Sequence, residues 1–305
     1  MHMPMTVVRK TAFLPRQGFR DTRWLDRVAE LGLREVEGEH LTTCPGCGQE
    51  PERVIGQYVH YSHLGRLMEC LCGLWYSDLR LNAETVRAHF ERAYKDDGYF
   101  RARRPVFDHL ARLVSQRTPP GGSVLDVGGA MGHLALMIWN IRPDVDLTVT
   151  DVSEDACRKA RTCGLHALPV SVAGLRWLPQ YDAVICSDVL YYEPNIGQVW
   201  ETLSGIVRPG GSLIIRGPNR TDTIRHAGGK QHPLSTRLRG FNPEHLYVFT
   251  REYLEARLAE VGFTGVRTLP SPVGTGSRLA TLAGRVACTL GLPVTPSVVT
   301  IARKP

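Results

Sequence analysis

The 305-residue chain has no run of about 18 apolar residues, which excludes a membrane-spanning helix and sets no membrane partner as the expectation. It also lacks the apolar centre of a secretory leader. The opening MHMPMTVVRKTAFLPRQGFR is basic and free of acids, but proline and glycine interrupt it, so a basic tail is expected. Repeats and low-complexity tracts are missing, which excludes solenoids and propellers. The formal charge is +7, yet no basic block stands out; the densest cluster is RARRP, ending at Pro105. A nucleic-acid reader concentrates its charge on one face, so nucleic acid is not expected as a partner. Cysteine is too sparse for a disulfide scaffold: there are eight, four of them in one short window, and a reducing cytoplasmic setting fits that distribution. Apolar content of 43% and charged content of 22% are those of an ordinary globular chain, long enough for one large domain and a smaller one.

What is present begins with an alternation. From Ser123 onward, SVLDV precedes MGHLALMIWN, LTVTD precedes EDACRKARTC, and YDAVICS precedes NIGQVWETLSGIV; GGSLIIRG follows a Pro209-Gly210-Gly211 turn. Ser153 and Gly164 read as the start and stop of one helix, Thr250 and Gly262 as those of TREYLEARLAEVG, and PSVVTIARKP as a last strand. Short apolar runs between amphipathic helices predict an α/β fold with a parallel sheet covered on both faces. Upstream, DTRWLDRVAELGL, AETVRAHFERAY and PVFDHLARLVSQR read as helices, and TPPGG marks a boundary before Ser123.

The turn in DVGGAMGH decides the cofactor. A dinucleotide fingerprint needs a third glycine three residues after the second, and counting from Gly128 gives Ala130 and then His133. The pattern that fits is D-x-G-x-x-x-G, with Asp126, Gly128 and Gly132. An acid ending the strand repels a pyrophosphate and attracts an ammonium group. Asp151 follows at about the 20-residue offset of a ribose-binding acid. S-adenosylmethionine has the ammonium, the ribose and no phosphate.

Four cysteines form a second constellation. Cys44 and Cys47 make a C-x-x-C knuckle, and Cys70 and Cys72 follow in CLCG. Four thiolates from two tight turns satisfy tetrahedral zinc in a closed, structural site, and VIGQYVHYSHLGRLME between them reads as the strands of a ribbon. The second pair is one residue shorter than the commoner spacing, and His40, His60 and His63 are near enough in sequence to replace one ligand. Cys157, Cys163, Cys186 and Cys288 read as core or helix-surface thiols.

Residues 120–305 resemble a class I S-adenosylmethionine-dependent methyltransferase, through the glycine motif, Asp151, QYDAVICSDVLYYEP, VRPGGSLIIRGPN and EHLYVFTREYLEARLAEVGF. The resemblance implies a Rossmann-like seven-stranded sheet of order 3-2-1-4-5-7-6. It also implies a cofactor site drawn from Asp126, Gly128, Gly129, Ala130, Gly132, Asp151, Val152, Asp188 and Tyr99, although Asp188 also reads as a cap of the helix that follows. Two positions depart from the pattern. Ala130 stands where a glycine is usual, and Tyr192 stands where relatives often carry histidine, so that histidine's role does not transfer. A C-x-x-C-G ribbon leading into CGLWYSDLRL and then such a domain is similar to bacterial methyltransferases acting on small molecules, including sugars and other secondary metabolites. The implied organisation is a basic, helical segment over 1–43, a zinc ribbon over 44–80, connecting helices over 81–119 and the methyltransferase domain over 120–305.

Methyl transfer from a sulfonium is an in-line displacement, so the protein's task is alignment and exclusion of water. A hydroxyl acceptor needs a base, and imidazole suits that near neutral pH. His245 in FNPEHLYVFT is the candidate, with a structural histidine ahead of Thr250 as the competing reading; His226 and His232 are lesser candidates. Tyr191, Tyr192 and Glu193 border the acceptor pocket or simply pack, and Tyr99 and Arg103 close over the methionine end of the cofactor or start a solvated helix. The stripe Leu279, Leu282, Val286 and Leu290 is core, lid or dimer face. The expectation is a cytoplasmic enzyme methylating a small metabolite, at oxygen, with S-adenosylmethionine and a structural zinc. An RNA methyltransferase gripping its substrate by the ribbon, and a non-catalytic protein that keeps the fold, stay open, as do the acceptor's identity and the oligomeric state.

Overall fold

The computed structural model describes residues 38–60, 63–82, 97–219, 221, 224, 238, 241–272, 282, 286 and 297–305. The helices expected over 21–33 and 83–94, and His226, His232, Cys288, Leu279 and Leu290, lie outside the described residues. The chain falls into two compact units. One takes the described residues up to 82 together with Tyr191–Gly197 and those between Arg220 and Tyr253, and the other takes the remainder.

The first unit is a small antiparallel assembly. It begins with β1 (Gly38–His40), β2 (Arg53–His60), β3 (His63–Glu69), β4 (Leu74–Ser77) and β5 (Leu79–Leu81). The expected ribbon is the β2–β3 hairpin continued into β4. Its sheet has a fourth strand, however: β11 (Tyr247–Phe249) pairs antiparallel with β4, so the order is β11-β4-β3-β2. Tyr58, Leu67, Trp75 and Leu79 form the core of this unit with Leu238, Phe241 and Val248. Its polar anchor is the buried Asp78, which accepts from the Arg66 amide and guanidinium and from His40 Nδ1 at 3.1 Å.

The second unit holds α1 (Asp97–Ser115), β6 (Ser123–Val127), α2 (His133–Ile141), β7 (Asp146–Thr150), α3 (Glu154–Thr162), β8 (His166–Leu168) and β9 (Tyr181–Ser187). Helix α4 (Ile196–Ile206), β10 (Val207–Pro218), α5 (Arg251–Glu260), β12 (Thr264–Pro270) and β13 (Ser297–Arg303) complete the described elements. The sheet order β12-β13-β10-β9-β6-β7-β8 is the expected 3-2-1-4-5-7-6 read from the other edge. Strands β8, β7, β6, β9 and β10 are parallel, and β13 runs antiparallel between β10 and β12. This is a Rossmann-like α/β fold.

The apolar runs explain the layering, because alternate residues of a strand face opposite ways. Val124, Leu147, Ile185, Ile214 and Val299 pack on one face against Val106, Leu110 and Val114 of α1 and Leu134 and Ile138 of α2. Their neighbours Leu125, Val184 and Leu213 are equally buried on the other face. Capping follows the sequence as read: Ser153 Oγ accepts from the Ala156 amide, Thr250 Oγ1 accepts from the Tyr253 amide, and Gly164 and Gly262 have positive φ. Helix α1 begins at Asp97, eight residues before the start expected from PVFDHL, with Pro105 in its interior. The cost of the missing amide there is offset by the Val106 and Leu110 face that α1 buries. Leu282 and Val286, the described part of the C-terminal apolar stripe, are exposed.

Candidate active site

Strand β6 delivers Asp126 and then the glycine turn. Gly128 has φ +65°, and a side chain there would overlap Val189 Cγ2, just beyond the end of β9. Gly129 donates to the Thr150 carbonyl at 3.0 Å, and a Cβ on it would lie 2.6 Å from Asp126 Oδ2. Both positions therefore require glycine. Ala130 departs from the glycine pattern yet adopts the glycine conformation, with φ +49°, and its amide donates to Asp151 Oδ2 at 3.0 Å. Gly132 also has positive φ and begins α2 with no side-chain cap.

Two acids border that turn. Asp126 is 1% exposed, and its Oδ2 has no hydrogen-bond partner among the described residues. Burial, reinforced by the charge of Asp151, pushes its carboxyl up to about 7. Asp151 accepts from the Ala130 and Ser153 amides, which fixes its carboxylate at the end of β7. Next to it Val152 is 61% exposed, an apolar surface beside an acid. This donor set fits S-adenosylmethionine: carboxylates for an ammonium and a ribose diol, and an apolar platform for a purine. The two carboxylates disfavour a pyrophosphate at this turn.

Asp188 ends β9 with φ +60° and donates its amide to the Arg216 carbonyl. Its carboxylate pairs with Arg103 at 2.8 Å and with Arg216, which is 2% exposed. Arg103 comes from α1, and one turn earlier Phe100 stacks on His133, the first residue of α2, at 4.2 Å. The N-terminal half of α1 thus reaches the C-terminal ends of both β6 and β9, where doubly wound sheets bind ligands. Tyr99 lies in this half of α1. Phe100, His133 and Arg216 are additions to the residues read from the sequence. The one available signal was a lone arginine in the otherwise apolar SLIIRG.

His245 belongs to the first unit and is 5% exposed. Its ring lies 4.0 Å from that of Tyr191 and edge-on to Tyr192 at 5.4 Å, and the Leu246 amide donates to the Tyr191 carbonyl at 2.8 Å. The histidine and both tyrosines therefore form one cluster. Glu193 follows, half-buried, its carboxyl raised to about 7 by loss of hydration.

The four cysteine sulfurs all lie within 4.8 Å of one another, the only such group of candidate metal ligands among the described residues. Cys44 and Cys72 are 3.7 Å apart and Cys47 and Cys70 3.4 Å, close to the roughly 3.8 Å edge of a zinc–thiolate tetrahedron with 2.3 Å bonds. The Gly46 amide points at Cys44 Sγ at 3.4 Å, the sulfur-directed amide of a metal knuckle. Four thiolates this close repel one another unless a cation joins them, so the quartet fits a divalent metal. His40 is engaged with Asp78, and the set is all sulfur.

Residues 99–268 match the family described as a methyltransferase domain. The chain is 31% identical over 108 residues to the ubiquinone biosynthesis O-methyltransferase of Bordetella avium, covering 33% of this chain and 44% of that protein. It is 25% identical over 170 residues to the tRNA U34 carboxymethyltransferase of Syntrophotalea carbinolica, covering 53% of this chain and 49% of the relative. The matches thus span less than half the length of either relative. Among solved structures, a chain of the complex between the Haloferax volcanii Trm112 methyltransferase activator and a methyltransferase superposes with TM-score 0.51 at 15% identity, over 70% of this chain and 96% of that one. With a family match over more than half its length, the chain belongs to the methyltransferase-domain family, and the strand order of its large sheet is that of the class I methyltransferase fold.

Proposed function

We propose that this methyltransferase acts on a hydroxyl of a small metabolite or sugar in the cytoplasm, with His245 as the proton acceptor and a structural zinc at Cys44, Cys47, Cys70 and Cys72. The observation that carries the reading is the burial of His245 against Tyr191 and Tyr192. An imidazole walled by aromatic rings is desolvated and held in one orientation, which a base in an in-line displacement needs. The half-buried Tyr192 gives a flat organic acceptor apolar surface to lie against.

Bound S-adenosylmethionine supplies an electrophilic methyl group. The chain's residues do the rest. Asp151 would hold the ribose hydroxyls, Val152 would pack on the adenine, and Asp126 would face the methionine ammonium from beneath Gly129. Arg103 shares Asp188 with Arg216, and its guanidinium would meet the methionine carboxylate. Gly128, Gly129, Ala130 and Gly132 bring the backbone close. Asp188, held by two arginines, orients Arg103. Tyr99 shares the α1 turn that carries Phe100 and would close over the methionine end.

The test is the His245→Ala variant assayed with a panel of phenolic and sugar hydroxyl acceptors, reading S-adenosylhomocysteine formation. Turnover should fall about 10²- to 10⁴-fold while S-adenosylhomocysteine affinity stays within about twofold, the signature of a lost general base. Undiminished turnover removes His245 as the base. The tRNA-modifying relative gives a second acceptor class a specific footing. Methylation of bulk tRNA with steep salt dependence, and none of the small-molecule panel, overturns the metabolite reading.

A further inference from the structure

We infer that the metal of the cysteine quartet is a positioning device for the Tyr191–Tyr192–His245 cluster, so that metal occupancy controls the acceptor side of the enzyme and leaves the cofactor turn alone. The inference rests on the reading of that cluster as acceptor-facing. Its structural half stands on connections inside the first unit.

Both knuckles touch the segments that flank the cluster. The second knuckle runs from Cys70 through Gly73, whose amide donates back to the Cys70 carbonyl at 2.8 Å, into β4. Leu74 and Tyr76 of β4 face Phe249 and Tyr247 of β11, and the Ser77 amide donates to the Leu246 carbonyl at 2.9 Å. Thr250 Oγ1 then donates to the Gly73 carbonyl at 2.8 Å. Residues 246–250 are thereby stitched along their length to the strand leaving the second cysteine pair. The first knuckle reaches both flanks. A Cβ on Gly197 would stand 3.1 Å from the Pro45 carbonyl, and one on Gly46 would stand 2.9 Å from Tyr253 Oη. Tyr247 Oη donates to the Pro194 carbonyl at 3.1 Å, joining the two flanks to each other.

The cysteines pair across the knuckles, Cys44 with Cys72 and Cys47 with Cys70. A metal bound to all four is the cross-link between them. Without it the knuckles keep the Glu52–Glu69 backbone hydrogen bond and the packing of Gly46 on Leu74 but lose the cross-link through their sulfurs, so the frame that holds residues 191–197 and 241–253 is loosened. The contacts of Gly129 with Asp126 and of Asp151 with the Ala130 and Ser153 amides lie in the other unit.

The experiment uses the full chain, zinc-loaded and chelator-stripped, with metal content read by native mass spectrometry. Amide hydrogen exchange is followed in peptides covering 191–197, 241–253 and 123–136. Stripping should speed exchange about tenfold or more in the first two peptides, leave 123–136 unchanged, and keep S-adenosylhomocysteine affinity within about twofold. Thr250→Val, which keeps all four cysteines, should retain one zinc and loosen 241–253, while Thr250→Ser should behave as wild type. Unchanged exchange in 241–253 after stripping overturns the inference. So does a chain that purifies without metal, or one that loses cofactor affinity together with zinc. Exchange reports geometry whether or not His245 is the base, so a failed His245→Ala assay and a failed exchange experiment count against different claims.

Discussion

Asp126 is the residue whose charge should be easiest to weigh. Its carboxyl is shut in beneath Gly129, with Asp151 as its charged neighbour and no hydrogen-bond donor for Oδ2 among the described residues. Folding moves its pKa from 3.8 to about 7. Between these values the folded chain holds a proton that the unfolded chain has released, so stability falls as pH rises through this window. Below pH 4 the group makes no difference, and above pH 7 its penalty is complete. A shift of about 3 units corresponds to about 4 kcal/mol. Asp126→Asn removes the ionisation at nearly constant shape. It keeps a buried polar group, at a cost of about 1–3 kcal/mol that does not change with pH. The diagnostic quantity is therefore the pH dependence of the difference between the two proteins, free of that offset.

Urea unfolding of the ligand-free chain at half-unit intervals from pH 4.5 to 8 measures it. The stability difference should move in the variant's favour by about 1 kcal/mol per pH unit between pH 5 and 6.5, then level off near pH 8. Parallel profiles would refute the reasoning, because they would mean that Asp126 is either hydrated or already paired. A second arm ties the charge to the cofactor. A ligand ammonium stabilises the carboxylate form, so S-adenosylhomocysteine should bind about tenfold more tightly at pH 8 than at pH 6, with proton release on binding. Calorimetry in two buffers of different ionisation enthalpy reads that proton, and Asp126→Asn should abolish it.

The parallel half of the sheet was legible because each strand is a short apolar run ended by a turn or cap, as in SVLDV before Gly128 and LTVTD before Ser153. The cofactor turn was legible for a related reason: its glycines are dictated by contacts within a few residues or across one neighbouring strand, as Gly128 shows against Val189. Strand β11 was not legible. Its three residues, YVF, carry no period, and their partners Tyr76, Trp75 and Leu74 are far away in sequence. The sequence division at 44–80 and 120–305 therefore leaves Tyr191–Gly197 and residues 241–253 with the large domain, whereas the compact units group them with the ribbon. Strand β12 was also unread. As an outer strand it alternates between exposed and half-buried residues, which leaves little apolar signal. The Arg103–Asp188–Arg216 cluster joins α1, the end of β9 and β10, and only the fold brings those residues together.

Ala130 holds a left-handed conformation at φ +49°, which alanine tolerates and a β-branched residue does not. Ala130→Gly should stay within about 1 kcal/mol of wild type, because relief of strain offsets the added chain entropy, whereas Ala130→Val should cost about 2 kcal/mol or more by urea unfolding. Equal tolerance of both would remove the claim of a constrained turn. The Asp188 cluster permits a stricter test. Arg216→Met deletes a buried guanidinium and leaves Asp188 its pair with Arg103, which is 19% exposed and hence partly hydrated. Breaking a buried pair from one side costs about 3–5 kcal/mol when the partner is stranded, and the remaining arginine should hold this loss to about 2. Adding Asp188→Asn removes the charge left behind, so the double variant should be more stable than the sum of the single losses by about 1 kcal/mol or more. If the losses simply add, the two side chains do not share a charge balance, and the orientation of Arg103 by Asp188 falls with it.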